Sequence, residues 1–231
     1  MTMQLDINPF QRLRHLIRKK NKGNSTFWLT GLVAISMTMF ICYFVLMFQK
    51  LNFIRNSLED EITSAALSGL IINLDSYAIT ANLDLIREED SLKNFEDIFA
   101  YSEGLEAFDS SGQTYGSPDH VYFDFEDPDN RVSLIEYTMY EINKEPDASG
   151  RYMGEIHTFK NGTWTHQTDC NFGTGLGTAD KNLLITTSAG EKVERTGIYI
   201  NIKVPIKTGY FGIRNYVDKK QFVAVEYILN Q

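Results

Sequence analysis

Residues 27–48 read FWLTGLVAISMTMFICYFVLMF, twenty-two consecutive positions without a charge. As a helix this stretch extends about 33 Å, close to the hydrocarbon thickness of a bilayer. It is longer than the core of a cleaved signal peptide. The residues that follow it, Gln49-Lys50-Leu51-Asn52-Phe53, contain no small-residue cleavage site. The expectation is a retained transmembrane helix.

The flanks set the orientation. Residues 1–26 carry Arg12, Arg14, Arg18, Lys19, Lys20 and Lys22 against Asp6 alone, a net charge of +5. Residues 51–231 carry fifteen basic and twenty-nine acidic side chains, a net charge of −14. The Lys/Arg excess before the span predicts a cytoplasmic N-terminus and an extracellular C-terminal domain in a single-pass protein of the cell membrane. The acidity of that domain argues against nucleic acid as its partner. Cys42 falls within the span and Cys170 far beyond it, so no intramolecular disulfide is expected. An exported domain of this size without one points to a bacterial surface.

Three segments follow: a basic cytoplasmic tail (1–26), the membrane helix (27–48) and an α+β domain (49–231). In the tail, Asn8, Pro9 and Gln11 carry a helix-start signal. Lys20–Gly23 is expected to separate that piece from the span. Beyond the span Leu51, Ile54, Leu58, Ile62, Ala65, Gly69 and Ile72 recur every three or four residues. The membrane helix should therefore continue outside, with an outer part over residues 49–80. Its apolar stripe must be covered by the domain or by a neighbouring subunit. Leu51, Ile54, Leu58 and Ile62 are the candidate contact residues. A second helix is expected at Ser91–Tyr101, with Ser91 as its cap. The remainder, 107–231, is β-rich. Asn161-Gly162 predicts a type I′ hairpin turn, and it takes precedence over reading Asn161-Gly162-Thr163 as a glycosylation sequon. Residues 198–206 alternate, with Ile198, Ile200, Ile202, Val204 and Ile206 on one face and Tyr199, Asn201, Lys203 and Pro205 on the other. Pro205 should sit at an edge or a strand end. A last strand is expected over Phe222–Leu229. The fold class is α+β, a long N-terminal helix packed on an antiparallel sheet.

No GxSxG, HExxH, CxxC or phosphate-loop motif occurs, so a non-enzymatic role is expected and no cofactor is required. Two metal readings come from geometry. A two-residue turn at Asn161-Gly162 sets His157 opposite His166, beside a Phe159–Trp164 pair. Two such imidazoles could share zinc or copper, with Glu155 or Cys170 as a further ligand. Asp124, Glu126, Asp127 and Asp129 form an acidic loop of hard oxygen donors suited to calcium. The glycines at 173, 175 and 177 lack the third fingerprint glycine and the following helix of a dinucleotide site, and read as a loop.

The segment KKNKGNSTFWLTGLVAISMTMFICYFVLMF, continued by QKLNFIRNSLEDEITSAALSGLIINLDSYAITAN, resembles the minor pilins and TadE-like pseudopilins of tight-adherence (Flp) pilus systems of Gram-positive type. Shared with them are a basic segment ending in glycine, an uncharged span and a continuing amphipathic helix, over about a quarter of the chain. The resemblance implies a lollipop-shaped subunit whose partners are the bilayer, other pilus or secretion subunits and further copies of itself through the N-terminal helix. Asn24 follows Gly23, and Trp28 stands where a prepilin has glutamate, which implies an unprocessed assembly component. The alternative is a sensory or ligand-binding ectodomain on the same anchor. A membrane-tethered hydrolase of unfamiliar motif is a third.

Overall fold

The structure, a computed structural model, describes residues 9–80, 83–103, 105–107, 121–124, 131–176, 178–207 and 214–225. The chain divides into two compact units, Met1–Phe53 and Ile54–Gln231.

The first unit is helical throughout its described part. Helix α1 spans Pro9–Gly69, so Pro9 takes the first helical position and Lys20–Gly23 is not a break. Between residues 27 and 48 large apolar side chains such as Trp28, Leu32, Met39 and Phe40 stand exposed. Thr30, Ser36 and Thr38 turn their hydroxyls back onto the carbonyls of Thr26, Leu32 and Ala34, at 2.9, 2.9 and 2.8 Å. Those polar groups are thereby satisfied within the helix, as a hydrocarbon surrounding demands. Among the described residues α1 contains the one helix long and apolar enough to cross a membrane, and it fits a single-pass anchor.

The second unit is α+β, as the sequence predicts. It holds the last part of α1, the short helix α2 (Leu74–Thr80), helix α3 (Glu88–Glu103) and, among the described residues, eight strands. These are β1 (Leu105–Ala107), β2 (Val121–Asp124), β3 (Arg131–Ile142), β4 (Arg151–Lys160), β5 (Thr163–Thr174), β6 (Asn182–Leu183), β7 (Gly197–Lys207) and β8 (Arg214–Ala224). They form one antiparallel sheet in the order β1 to β6, with β7 joined to β3 and β8 to β7.

One face of the sheet receives the helices. Leu58, Ile62, Ala65 and Ala66 of α1 and Leu92, Phe95 and Phe99 of α3 pack with Tyr137, Met139, Phe159, Ile198, Ile200 and Ile202. Fully burying a Leu or Ile side chain contributes about 1.5–3 kcal/mol, against a total domain stability of about 5–15 kcal/mol. Leu58 and Ile62 alone therefore make the end of α1 integral to this core. The helix stops at Gly69, earlier than the periodicity suggests. There its backbone meets the sheet so closely that a Cβ would lie 2.5 Å from Tyr137 Oη and 3.0 Å from the Ser91 carbonyl oxygen. Tyr137 donates to Ser91 Oγ (2.7 Å), which donates to the Gly69 carbonyl (2.8 Å) and so satisfies one orphan acceptor of the helix terminus. Ser91 is thus a buried clamp inside α3. The helix begins at Glu88, where Glu88, Glu89 and Asp90 complement the positive end of its dipole. Lys219 and Gln221 of β8 reach Glu59 and Thr63 of α1.

The opposite face is also covered. Tyr140, Ile142, Ile156, Phe172, Val193 and Tyr199 form a second cluster. Tyr199 lies on the face opposite Ile198 and Ile200, as expected, and is fully buried in this cluster. Pro205 pairs with Tyr216 of β8 beyond Lys203, the last β7 residue paired with β3, and so sits near a strand end as expected. Strand β8 begins earlier than the predicted Phe222, and residues 226–229 lie outside the described part.

Two positions on α1 check this packing. Ile62→Ala should lower the unfolding free energy by about 2–5 kcal/mol, whereas Leu67→Ala on the exposed side should stay within about 0.5 kcal/mol. Urea titration followed by circular dichroism measures both; equal effects would contradict the assignment of faces.

Candidate metal centre

Asn161 and Gly162 adopt φ values of 51° and 72°, the left-handed pair of a type I′ turn. The resulting register pairs Lys160 with Thr163, Phe159 with Trp164, Thr158 with Thr165 and His157 with His166. The Phe159 and Trp164 rings pack at 5.3 Å, with Tyr137 edge-on to Trp164 at 6.4 Å. These aromatics fix the hairpin on the helix-bearing face, and the two histidines share that face one step along.

The imidazoles meet at 2.9 Å, Nδ1 to Nδ1. Glu88, the first residue of α3, comes down over them. Its Oε2 lies 3.9 Å from His157 Nδ1, and its Oε1 lies 3.8 Å from His166 Nε2. One donor atom from each of Glu88, His157 and His166 falls within 4.8 Å of the other two. The second nitrogen of His157, Nε2, faces Glu155 at 3.4 Å. Side-chain exposure rises from 15% at His157 through 31% at Glu88 to 47% at His166, so the cluster opens to solvent on one side.

The surroundings are acidic. Glu141 pairs with Glu155 across β3 and β4. Burial, then the negative charges of Asp84, Glu155 and Glu88, push its carboxyl up to about 8, although the Leu85 amide donates to it. Glu103, at the end of α3, is also pushed up to about 8, by desolvation of its carboxyl and by the neighbouring carboxyl of Glu61.

Of the expected further ligands, Glu155 stands beside His157 on its outer nitrogen. Cys170 does not join. It pairs with Gly154 and packs with the second cluster, on the other face of the sheet, because the alternation of β4 turns residue 154 away from residue 157. Burial, then Glu155 and Asp169, raise its thiol pKa, which disfavours the thiolate a metal needs. Glu88 carried no signal in the sequence. Of the acidic calcium candidates, Asp124 ends β2, while Glu126, Asp127 and Asp129 lie outside the described residues. Among the described residues no helix follows the glycine-rich stretch; Gly173 and Thr174 pair with β6. Of the candidate contact residues, Leu58 and Ile62 are enclosed in the domain core, while Leu51 and Ile54 keep part of their surface.

Comparison with known protein families, characterised proteins and solved structures finds no match to this chain.

A pH dependence follows from Glu141. Its folded-state pKa of about 8 exceeds the ordinary 4.5, so between these values the folded chain holds a proton that the unfolded chain releases. Stability should fall as pH rises from about 4.5 to about 8, and Glu103 contributes with the same sign. Urea unfolding in chelator-treated buffer at both pH values should show the loss. Glu141→Gln should reduce it and should exceed the parent in stability at pH 8; an unchanged slope in that variant would contradict the assignment.

Proposed function

We infer that this protein is a non-enzymatic, pseudopilin-like component of a surface pilus or secretion assembly, held in the cell membrane by α1 and acting through protein contacts. Its basic tail faces the cytoplasm and its acidic α+β domain the exterior. The observation that carries this reading is the division of labour along one helix. Residues 27–48 of α1 present apolar side chains outward, and Leu58, Ile62, Ala65 and Ala66 of the same helix build the core of the second unit. A helix with that composition retains the chain in lipid and offers a lateral surface to neighbouring subunits. With Leu58 and Ile62 committed to the core, the lateral contact falls to the membrane segment and to Leu51 and Ile54.

Two measurements test it. In intact cells a membrane-impermeant maleimide should label Gln167→Cys in a Cys170→Ser background, since Gln167 is exposed on β5; labelling only after lysis would reverse the orientation. A cysteine at Leu51 or Ile54, oxidised in native membranes, should trap adducts with secretion-assembly subunits or with a second copy. Monomer alone at both positions would overturn the assembly role and favour the sensory ectodomain.

A further inference from the structure

We propose that Glu88, His157 and His166 form a zinc site that pins the start of α3 to the β4–β5 hairpin. The proposal is independent of the membrane and assembly readings above.

Three observations carry it. The first is donor geometry. Zinc–nitrogen and zinc–oxygen bonds of about 2.0–2.2 Å at tetrahedral angles put neighbouring donors about 3.3–3.5 Å apart. His157 Nδ1 lies 2.9 Å from His166 Nδ1 and 3.9 Å from Glu88 Oε2, on either side of that spacing. With one donor atom from each of the three residues within 4.8 Å of the other two, side-chain rotation at Glu88 and His166 closes the site. Neither histidine has to leave its place in the sheet.

The second is donor chemistry. Two imidazoles and one carboxylate suit zinc. Calcium and magnesium prefer all-oxygen sets. Such a three-ligand set leaves the fourth position open, and the exposed side at His166 lets water or a partner's side chain occupy it.

The third is the outer arrangement. When His157 binds metal through Nδ1, its Nε2–H donates to Glu155, 3.4 Å away. A carboxylate on the far nitrogen fixes the tautomer and ring plane of a metal-bound histidine and raises its basicity. Asp84, whose charge acts on neighbouring Glu141 together with those of Glu155 and Glu88, adds further negative charge nearby. The field therefore favours a divalent cation.

The ion would act as a tertiary clamp. Glu88 lies about seventy residues from the histidines in sequence, and α3 carries Leu92, Phe95 and Phe99 into the core. Binding only the folded state, zinc stabilises it by mass action.

The test uses full-length protein, purified in detergent and stripped with chelator. Calorimetric titration with zinc chloride should show one ion per chain. His157→Ala and His166→Ala should each weaken binding by more than about 100-fold, because even outer partners of a zinc ligand are worth about 10–100-fold. Glu155→Gln should weaken it by about tenfold for the same reason. His166 is nearly half exposed, so His166→Ala should keep the parent's melting temperature in chelator, which separates ligand loss from misfolding. Cobalt(II) should give the visible absorption of a four-coordinate site in the parent and not in His166→Ala. Folded parent protein that takes up no zinc at about 0.1 mM, where a site of even modest affinity fills, would overturn the proposal. So would zinc binding that Glu88→Gln and His166→Ala both leave intact.

Discussion

The second unit is organised by the burial of one stripe on α1. Leu58, Ile62, Ala65 and Ala66 cannot remain in water at the end of a long helix, and the sheet supplies their cover. The two alanines and Gly69 keep the helix backbone near the strands. At Gly69 the approach is so close that Tyr137 and Ser91 take over the helix terminus by hydrogen bonding. This contact sets where α1 ends and holds Ser91 within α3. It thereby brings Glu88, three residues earlier in α3, to the edge of the helix-covered face where His157 and His166 stand. The candidate metal centre is a consequence of how α1 and α3 dock.

Much of this was legible where local chemistry decides the outcome. Asn161-Gly162 fixes a turn, the turn fixes a register, and the register places His157 opposite His166. Each step involves residues a few positions apart, and the structure reproduces every pair. The uncharged span and the stripe that follows it were equally plain, because composition and period are properties of a single helix. Strand β3 was hidden for an identifiable reason. Its core residues Val132, Leu134, Tyr137 and Met139 change parity at a bulge between Leu134 and Glu136, so the period of two is broken at the centre of the sheet. Tyr199 lies on the face that the alternation of β7 gives it, but the cover over that face, with Phe172 and Val193, comes from elsewhere in the chain, and no period within one strand announces it.

The site was only half visible for a similar reason. His157 and His166 are neighbours through a hairpin, whereas Glu88 arrives through a helix–sheet contact. No spacing rule encodes such a meeting, since it depends on where α1 ends and α3 begins. Cys170 illustrates the converse. It lies four residues from His166, a spacing that pleating alone would keep on one face, yet the extra residue of β5 between the Gln167 and Cys170 pairs carries it to the other.

The central claim is that α1 meets two solvents along its length, hydrocarbon over residues 27–48 and a protein core on one face from Leu58 onward. Single spin labels, placed through residues 30–66 in a Cys42→Ser, Cys170→Ser background and reconstituted in bilayers, measure this most directly. Labels within the span should collide with oxygen and be shielded from a water-soluble nickel chelate. From residue 54 onward accessibility to the chelate should oscillate with a period of about 3.6 residues, with minima at Leu58, Ile62 and Ala65. Chelate access at Ile35 or Phe40, or a flat profile beyond residue 54, would contradict the account.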